Sequence, residues 1–238
     1  AQSQDELIYT DRKNPLQNVS AAVSEKNHLL YVFLPQGTAG TAILYKDLRG
    51  FGDLKPLIEN QENENSLIAT IDNHAYLLTN HQAPKYRLVA IPLDNPKTEN
   101  WKTIIPEGEN ILSSVRYVGG KFIAIYMKDA SHRVLVMDKT GKTLQEIKLP
   151  ALGTVAGFVG KEEDTETYYS FNSFLSGGNI YELDLNTYQS KVVFQPTVKF
   201  DAKRYETKEV FYKSKDGKQV HLFLTHKKGL KRIRRLQY

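Results

Sequence analysis

A short apolar segment that ends in aspartate recurs four times along the chain, and this repeat limits the possible folds more than any other feature. The four segments read ILYKD, VAIPLD, VLVMD and IYELD, and they end at Asp47, Asp94, Asp138 and Asp184. The steps between successive aspartates are 47, 44 and 46 residues. A steady period of this length indicates a repeat architecture in which each repeat forms one supersecondary unit.

Each repeat predicts four β-strands. In the third repeat, runs rich in Val, Ile, Tyr and Phe occupy Ile111–Val118, Lys121–Met127, Val134–Met137 and Thr143–Leu149, and turn residues separate them. Such short runs are typical of strands. The other predicted strands are His28–Leu34, Leu54–Ile58, Ala75–Thr79, Trp101–Ile105, Thr154–Val159, Glu166–Phe171 and Ser190–Phe194. Four strands in roughly 40 to 47 residues match the size of one β-propeller blade.

The predicted fold class is all-β: a β-propeller fragment of about four four-stranded antiparallel blades, followed by a C-terminal β-hairpin. A single four-stranded sheet cannot cover both of its faces, whereas blades stacked around an axis bury them. We expect the first strand of each blade to line the central channel and the fourth to lie at the rim. The hairpin is predicted from Asp216-Gly217 between the runs Thr207–Lys213 and Lys218–Thr225, since Asp-Gly favours a tight turn.

The repeat also predicts the domain boundaries. Residues 1–198 form the propeller part, with blades at about 12–59, 64–106, 110–150 and 153–198, and residues 5–11 finish a preceding blade. Residues 199–229 begin another element with the hairpin, and residues 230–238 form an atypical basic tail.

Composition excludes several functions. There is no cysteine, which excludes disulfides, cysteine-based zinc sites and thiol nucleophiles. It also suits an oxidising compartment, so we expect a periplasmic or secreted protein and leave a cytoplasmic location open. No run of about 18 apolar residues occurs, so no membrane partner is expected.

The net charge of +5 comes from the C-terminal segment. Six of the 32 basic residues lie in positions 227–238, and the remaining 26 face 27 acidic residues. Since the body of the chain is near neutral, we predict no nucleic-acid partner.

No pattern of catalytic or metal-ligating residues is present. The six histidines form neither HxH nor HExxH, so no metal and no cofactor are expected. The G-x-S-x-G turn of α/β hydrolases is missing, and the nearest glycine–serine cluster, Ser173-Phe174-Leu175-Ser176-Gly177-Gly178, lies between two predicted strands. We therefore predict no catalytic residue in this chain.

Three segments resemble the prolyl oligopeptidase (prolyl endopeptidase) family of serine peptidases. They are DTETYYSFNSFLS at Asp164–Ser176, TNHQAPKYRL at Thr79–Leu88, and the segment from Tyr205 to Gly229. They follow the order and spacing of that family, and the resemblance covers about Asp5 to Gly229.

The resemblance implies a function. In that family a seven-bladed propeller caps an α/β-hydrolase domain, which cleaves short peptides after proline with a Ser-Asp-His triad. This chain would supply blades four to seven and, in residues 199–229, the first hairpin of the hydrolase domain. The triad would lie beyond residue 229, so this chain alone would be an inactive, substrate-gating portion. Its partners would be proline-containing short peptides and the missing hydrolase domain.

The chain departs from the family in three places. Asn18 and Thr38 align with two apolar or sulfur-bearing side chains that line the family's substrate pocket. Gly177 replaces a proline, and the segment after Gly229 does not continue the family pattern. We interpret that last segment as the result of a truncation or of a shifted reading frame.

Two other functions stay open. A stand-alone propeller module could bind other proteins, or pair as a homodimer that closes eight blades into one ring. A glycosidase on a propeller would need converging carboxylates, and the sequence offers no clear pair.

Overall fold

The computed structural model describes residues 5–37, 40–50 and 52–230. These residues form β-strands joined by turns and two 3₁₀ turns, at Thr98–Asn100 and Ala202–Arg204. The strands are β1 Ser20–Ser24, β2 Leu29–Gln36, β3 Gly40–Asp47, β4 Lys55–Ile58, β5 Asn65–Ile71, β6 His74–Thr79, β7 Arg87–Pro92, β8 Lys102–Ile105, β9 Ile111–Val118, β10 Lys121–Lys128, β11 Ser131–Met137, β12 Thr143–Ile147, β13 Thr154–Val159, β14 Glu166–Ser173, β15 Ser176–Asp184, β16 Ser190–Phe194, β17 Tyr205–Lys213 and β18 Gln219–Lys227. The predicted fold class is confirmed.

Each repeat folds into one antiparallel sheet of four strands. The orders are β1-β2-β3-β4, β5-β6-β7-β8, β9-β10-β11-β12 and β13-β14-β15-β16, and β17 pairs with β18. We call the four sheets blades 1 to 4. The chain divides into two compact units: residues up to 108 hold blades 1 and 2, and residues from 109 onward hold blades 3 and 4 with the final hairpin.

Several predicted strand ends are wrong by one to three residues, for local reasons. His28 has a φ of 52° and closes a turn, so β2 begins one residue later. The backbone N–H of Trp101 donates to the Thr98 carbonyl and caps the 3₁₀ turn, so β8 begins one residue later, at Lys102. Lys218 closes the hairpin turn by accepting from Ser214 N–H at 2.9 Å. Residues 5–11 lie in no strand, and their assignment to a preceding blade stays a prediction.

The core of the first unit lies between blades 1 and 2. Tyr31 and Ile43 of blade 1 are fully buried in one cluster with Leu77 of blade 2. Full burial of a large apolar side chain contributes about 1.5–3 kcal/mol. Two tyrosine hydroxyls also bond across this interface: Tyr31 pairs with the Thr70 hydroxyl at 2.8 Å, and Tyr45 donates to the Leu93 carbonyl at 2.5 Å. In this unit the second and third strands of each blade thus pack through alternate residues.

The core of the second unit lies between blades 3 and 4. Ile123 and Val134 of blade 3 pack in one cluster with aromatic residues of blade 4. In blade 4, the ring of Tyr169 stacks on Phe158 at 4.8 Å on one side and on Tyr181 at 5.2 Å on the other. Stacked aromatic pairs add about 0.5–1.5 kcal/mol each beyond their buried area.

Three of the four repeated aspartates close the turn that follows the third strand of the blade. Asp138 accepts from Thr140 and Lys142 N–H, and Asp184 accepts from Asn186 and Thr187 N–H. The Arg49 side chain and N–H hold the pKa of Asp47 at about 2. Asp94 differs because Pro96, two residues on, has no N–H to donate.

Within each unit the two blades are joined by one recurring backbone contact. Thr41, at the start of the third strand of blade 1, donates its N–H to the Asn63 carbonyl in the connection to blade 2, at 3.0 Å. In the second unit His132 donates in the same way to the Gly153 carbonyl at 2.8 Å. The approach requires glycine at position 40, because a Cβ there would lie 2.4 Å from the Asn63 carbonyl oxygen.

Candidate functional site

The end of each blade at which the second strand turns into the third is called here the hairpin edge. Two of the three family-like segments lie there: TNHQAPKYRL forms the connection between β6 and β7, and SFLS forms the turn between β14 and β15. Asn18 lies at the hairpin edge of blade 1, since Ser20 at the start of β1 pairs with Phe33 near the end of β2. Thr38 lies outside the described residues.

The β6–β7 connection is held by two glutamates. Asn80 donates its N–H to the Glu64 carbonyl at 3.3 Å and accepts from Glu64 N–H at 2.9 Å. Tyr86, whose φ is 67°, donates its hydroxyl to the Glu64 carboxylate at 2.7 Å, and this bond raises the pKa of Tyr86 to about 12. Lys85 N–H donates to the Glu107 carboxylate at 2.6 Å. The connection is therefore anchored at its start and at its end.

Asn18 lies on an exposed surface of blade 1, where two glutamine side chains donate hydrogen bonds to backbone carbonyls. Gln17 donates its side-chain amide to the Asn18 carbonyl at 3.1 Å and to the Pro35 carbonyl at 2.5 Å. Gln61 donates to the Leu34 carbonyl at 2.6 Å. Asn18 helps to line a cavity of 430 Å³ at this edge. The pocket role of Asn18 and Thr38 stays a prediction.

The final hairpin contacts the hairpin edge of blade 4. Phe174, in the β14–β15 turn, lies against Phe223 of β18 with ring centroids 5.1 Å apart. His221 also packs edge-on against Phe223, with ring centroids 4.6 Å apart. Lys228, just after β18, donates its N–H to the Arg204 carbonyl at 2.8 Å. A side chain at Gly177 would meet open space, so the replacement of the family's proline does not fill a packed position.

Two histidines outside the β6–β7 connection, His132 and His74, contact backbone groups through Nδ1. His132 Nδ1 accepts from Val155 N–H at 2.9 Å, and burial lowers the pKa of His132. His74 Nδ1 lies 2.7 Å from the Asp72 carbonyl oxygen. Within the described ranges no three His, Cys, Asp or Glu side chains come together as a metal site. The same residues include no helix long and apolar enough to cross a membrane.

The structure brings together a polar cluster around His81 in the first unit. No motif in the sequence predicted this cluster. His81 is half-buried beside Trp101, with ring centroids 5.4 Å apart. Its Nδ1 atom lies 3.3 Å from the amide nitrogen of Asn63. These residues come from three separate connections, so no spacing rule along the chain could have found them.

The chain matches the family model described as the N-terminal β-propeller domain of prolyl oligopeptidase over residues 1–196. It is 38% identical over 231 residues to a prolyl endopeptidase of Elizabethkingia miricola, covering 97% of this chain and 33% of that protein. A prolyl endopeptidase of Elizabethkingia meningoseptica is 37% identical over 231 residues, and this match also covers 97% of this chain and 33% of that protein. The chain thus spans about one third of the length of these relatives.

Solved structures agree with these matches. One solved structure comes from a study of two prolyl endopeptidases and of the role of inter-domain dynamics in their catalysis and specificity. It superposes on this chain with a TM-score of 0.85 at 29% sequence identity, and the match covers 96% of this chain and 34% of that one. Apo prolyl oligopeptidase B of Galerina marginata gives a TM-score of 0.87 at 23% identity, covering 97% and 34%, which supports the fold alone. The chain belongs to the prolyl oligopeptidase family and corresponds to part of its N-terminal β-propeller domain.

Proposed function

We propose that this chain is the substrate-gating propeller portion of a serine peptidase that cleaves short peptides after proline. Family membership and the names of its relatives support the reaction class. The observation that carries the proposal is the contact between Phe174 and Phe223. This contact joins the final hairpin, β17–β18, to the SFLS turn of blade 4, which resembles the corresponding segment of the family.

The chain by itself is proposed to be inactive. Nucleophile, base and oxyanion-hole donors act as one unit, and no G-x-S-x-G turn is present. A fluorogenic Gly-Pro substrate tests this on the 238-residue chain. We expect no turnover above buffer. Turnover that persists through repurification and responds to a serine-directed inhibitor would contradict the proposed inactivity.

The gating role is tested with a chimera. Residues 5–229 of this chain replace the matching segment of the Elizabethkingia miricola prolyl endopeptidase. We expect the chimera to cleave a short Gly-Pro peptide while leaving a folded, proline-containing protein intact. A chimera that cleaves both substrates at similar rates would show that these blades do not restrict entry.

The same chimera tests the proposed pocket residues. Replacement of Asn18 or Thr38 by alanine is expected to raise KM for a short peptide more than it lowers kcat, because a lining residue acts on binding. Lys148→Ala serves as the control, since Lys148 is exposed and lies in the other unit of the chain. Equal kinetic constants for all three variants and the parent chimera would refute the pocket role.

We also propose a periplasmic or secreted location, supported by the lack of cysteine.

A second candidate function is self-association, and one face of blade 4 favours it. Four exposed side chains share this face. Val159 is the cross-strand partner of Tyr168 and Ile180 is the partner of Phe194, and Ile180 also pairs with Ser170, two residues along the strand from Tyr168. The exposed fractions are 70% for Val159, 42% for Tyr168, 36% for Ile180 and 54% for Phe194. Adjacent exposed apolar side chains are typical of contact surfaces. Light scattering of the chain at high concentration tests this, and a monomer under those conditions would exclude the dimer.

A further inference from the structure

A cavity of 540 Å³ lies in the second unit, at the hairpin edge of blade 4. Its walls come from the β12–β13 connection, from the β14–β15 turn with the start of β15, and from the β16–β17 connection. The volume lies within the range of roughly 300–1,000 Å³ that is typical of small-molecule sites. The proposed function assigns this cavity no role.

The floor of the cavity is the face of blade 4 that packs on blade 3. Phe171 and Asn179 are cross-strand partners, and Tyr181 follows two residues after Asn179 on β15. Because side chains alternate along a strand, these three share one face of the sheet. Phe171 and Tyr181 are buried in the core cluster of the second unit. The packing of the two blades therefore fixes the aromatic floor before any molecule binds.

Two exposed aromatic rings line the mouth of the cavity, and the final hairpin holds both of them. Phe174 lies against Phe223 of β18, as described above. Phe200, which is 46% exposed, lies against Tyr205 of β17 with ring centroids 5.0 Å apart. Aromatic rings attract one another in offset or edge-on arrangements, so an exposed ring that is already held in place favours a further ring beside it.

The lining of this cavity is uncharged. No Asp, Glu, Lys, Arg or His of the described ranges is among its lining residues. By contrast, the 430 Å³ cavity at the hairpin edge of blade 1 includes Lys13, and a cavity of 360 Å³ between blades 1 and 2 includes Glu59, Lys97 and Glu99. An ion that leaves water for an uncharged, aromatic lining loses hydration without gaining a charged partner. The 540 Å³ cavity therefore favours a neutral molecule.

One polar side chain on the floor can bond to such a molecule. Asn179 is half-buried, so a molecule in the cavity can reach it. Its side-chain amide makes no hydrogen bond within the part of the chain that the structure describes. An amide side chain can both donate and accept, so it suits one polar group of either kind.

We propose that this cavity binds a neutral aromatic small molecule, whose rings pack against Phe174 and Phe200 and whose single polar group bonds to the Asn179 amide. The bound molecule contacts blade 4 and also the two rings that the hairpin holds. Its binding therefore stabilises the docking of the hairpin on blade 4. This site is independent of peptide cleavage.

The probe is N-phenyl-1-naphthylamine, a neutral fluorescent molecule with two ring systems and one N–H group. Its anionic counterpart, 8-anilinonaphthalene-1-sulfonate, has the same rings and an added sulfonate. Each is titrated into the 238-residue chain. We expect a saturable rise in emission with one N-phenyl-1-naphthylamine per chain, and at least about tenfold weaker binding of the sulfonate.

Two variants test the named contacts, and a third is the matched control. Phe200→Ala and Asn179→Leu are each expected to weaken binding of N-phenyl-1-naphthylamine about fivefold, since each removes one contact of the molecule. Phe194→Ala removes a similarly exposed ring from the opposite face of blade 4 and should bind like the parent.

Val198→Lys tests the charge argument without touching the core. Val198 lines the cavity and is 67% exposed, so a lysine there should not disturb folding. The added positive charge is expected to tighten binding of the sulfonate about fivefold, while N-phenyl-1-naphthylamine binds within about twofold of its affinity for the parent.

Hydrogen exchange gives a readout that does not depend on the emission of the probe. If undocking of the hairpin destroys the site, N-phenyl-1-naphthylamine at ten times its Kd should slow exchange in β17 and β18 about tenfold. Exchange in blades 1 and 2 should be unchanged.

Several results would overturn the proposal. They are the absence of a saturable signal, equal binding of the sulfonate by the parent chain, and unchanged binding by both Phe200→Ala and Asn179→Leu. Weaker binding by Phe194→Ala, or unchanged exchange in β17 and β18, would place the probe elsewhere on the chain and would equally contradict it.

Discussion

The Nδ1 atom of His132 accepts a hydrogen bond from the backbone N–H of Val155 at 2.9 Å, and this bond joins the third strand of blade 3 to the first strand of blade 4. The bond requires an unprotonated Nδ1. Burial lowers the pKa of His132 from its usual value of 6.5. The contact between the two blades therefore has a built-in dependence on pH.

The stability of the second unit is expected to fall as the pH drops below about 6.5. In that range the unfolded chain binds a proton at His132 while the folded chain does not yet, so acid favours unfolding. Above pH 6.5 the contribution is fully present. Urea unfolding followed by circular dichroism at pH 7.5 and at pH 5.5 measures the difference.

His132→Asn gives the matched comparison, because its side-chain oxygen can accept from Val155 N–H and does not titrate. This variant should lose part of the pH dependence, whereas His74→Asn should keep it. The same pH dependence in the parent and in His132→Asn would contradict the assignment.

Phe174→Ala is expected to loosen the final hairpin. The ring of Phe174 is 63% exposed, so its loss should change the stability of blade 4 little, but its contact with Phe223 joins the hairpin to that blade. An aromatic pair contributes about 0.5–1.5 kcal/mol, which predicts a roughly two- to tenfold loss of protection in β17 and β18. Hydrogen exchange of these strands measures it. Val198→Ala, which removes another exposed apolar side chain, is the control and should leave the protection unchanged.

Gly40→Ala is expected to destabilise the first unit by about 1–3 kcal/mol, the usual cost of forcing atoms into a packed site. Its Cβ would lie 2.4 Å from the carbonyl oxygen of Asn63 and would push blade 1 away from the connection to blade 2. Urea unfolding followed by the emission of Trp101 reports on this unit. Gly50→Ala, where a Cβ meets open space, should have an unchanged midpoint. Equal midpoints for both variants would show that the backbones can separate without cost.

Asp138→Ala is expected to increase hydrogen exchange in the turn at residues 139–142. The carboxylate accepts from Thr140 N–H at 2.8 Å and from Lys142 N–H at 3.1 Å, and hydrogen bonds to Thr140 and Lys142 lower the pKa of Asp138. The contribution is present above about pH 3.8 and is lost as the pH falls below that value. Asp94→Ala is the control: Pro96 offers no N–H, so exchange in that turn should change less. A similar increase in both turns would contradict this account.

The blades were predictable because their signals are local. Period-two alternation predicts a strand, an aspartate after it closes the turn, and a period of 44 to 47 residues counts the units. The strand ends were less predictable, since a residue such as His28 adopts a left-handed φ only in the context of its turn. The position of the final hairpin on blade 4 could not be predicted, because it depends on two phenylalanine rings separated by 49 residues.

By itself, the sequence determined the fold class, the number of blades, the absence of a nucleophile elbow and the resemblance to the prolyl oligopeptidase family. These features depend on patterns within a few residues or on a repeat along the chain. Only the tertiary structure decided which polar groups meet between blades. His81, Asn63 and Trp101 carry no sequence signal as a set, and they form a cavity because packing blade 1 against blade 2 brings three separate connections together. Burial then leaves Nε2 of His81 without a hydrogen-bond partner among the described residues, which no pattern along the chain could indicate.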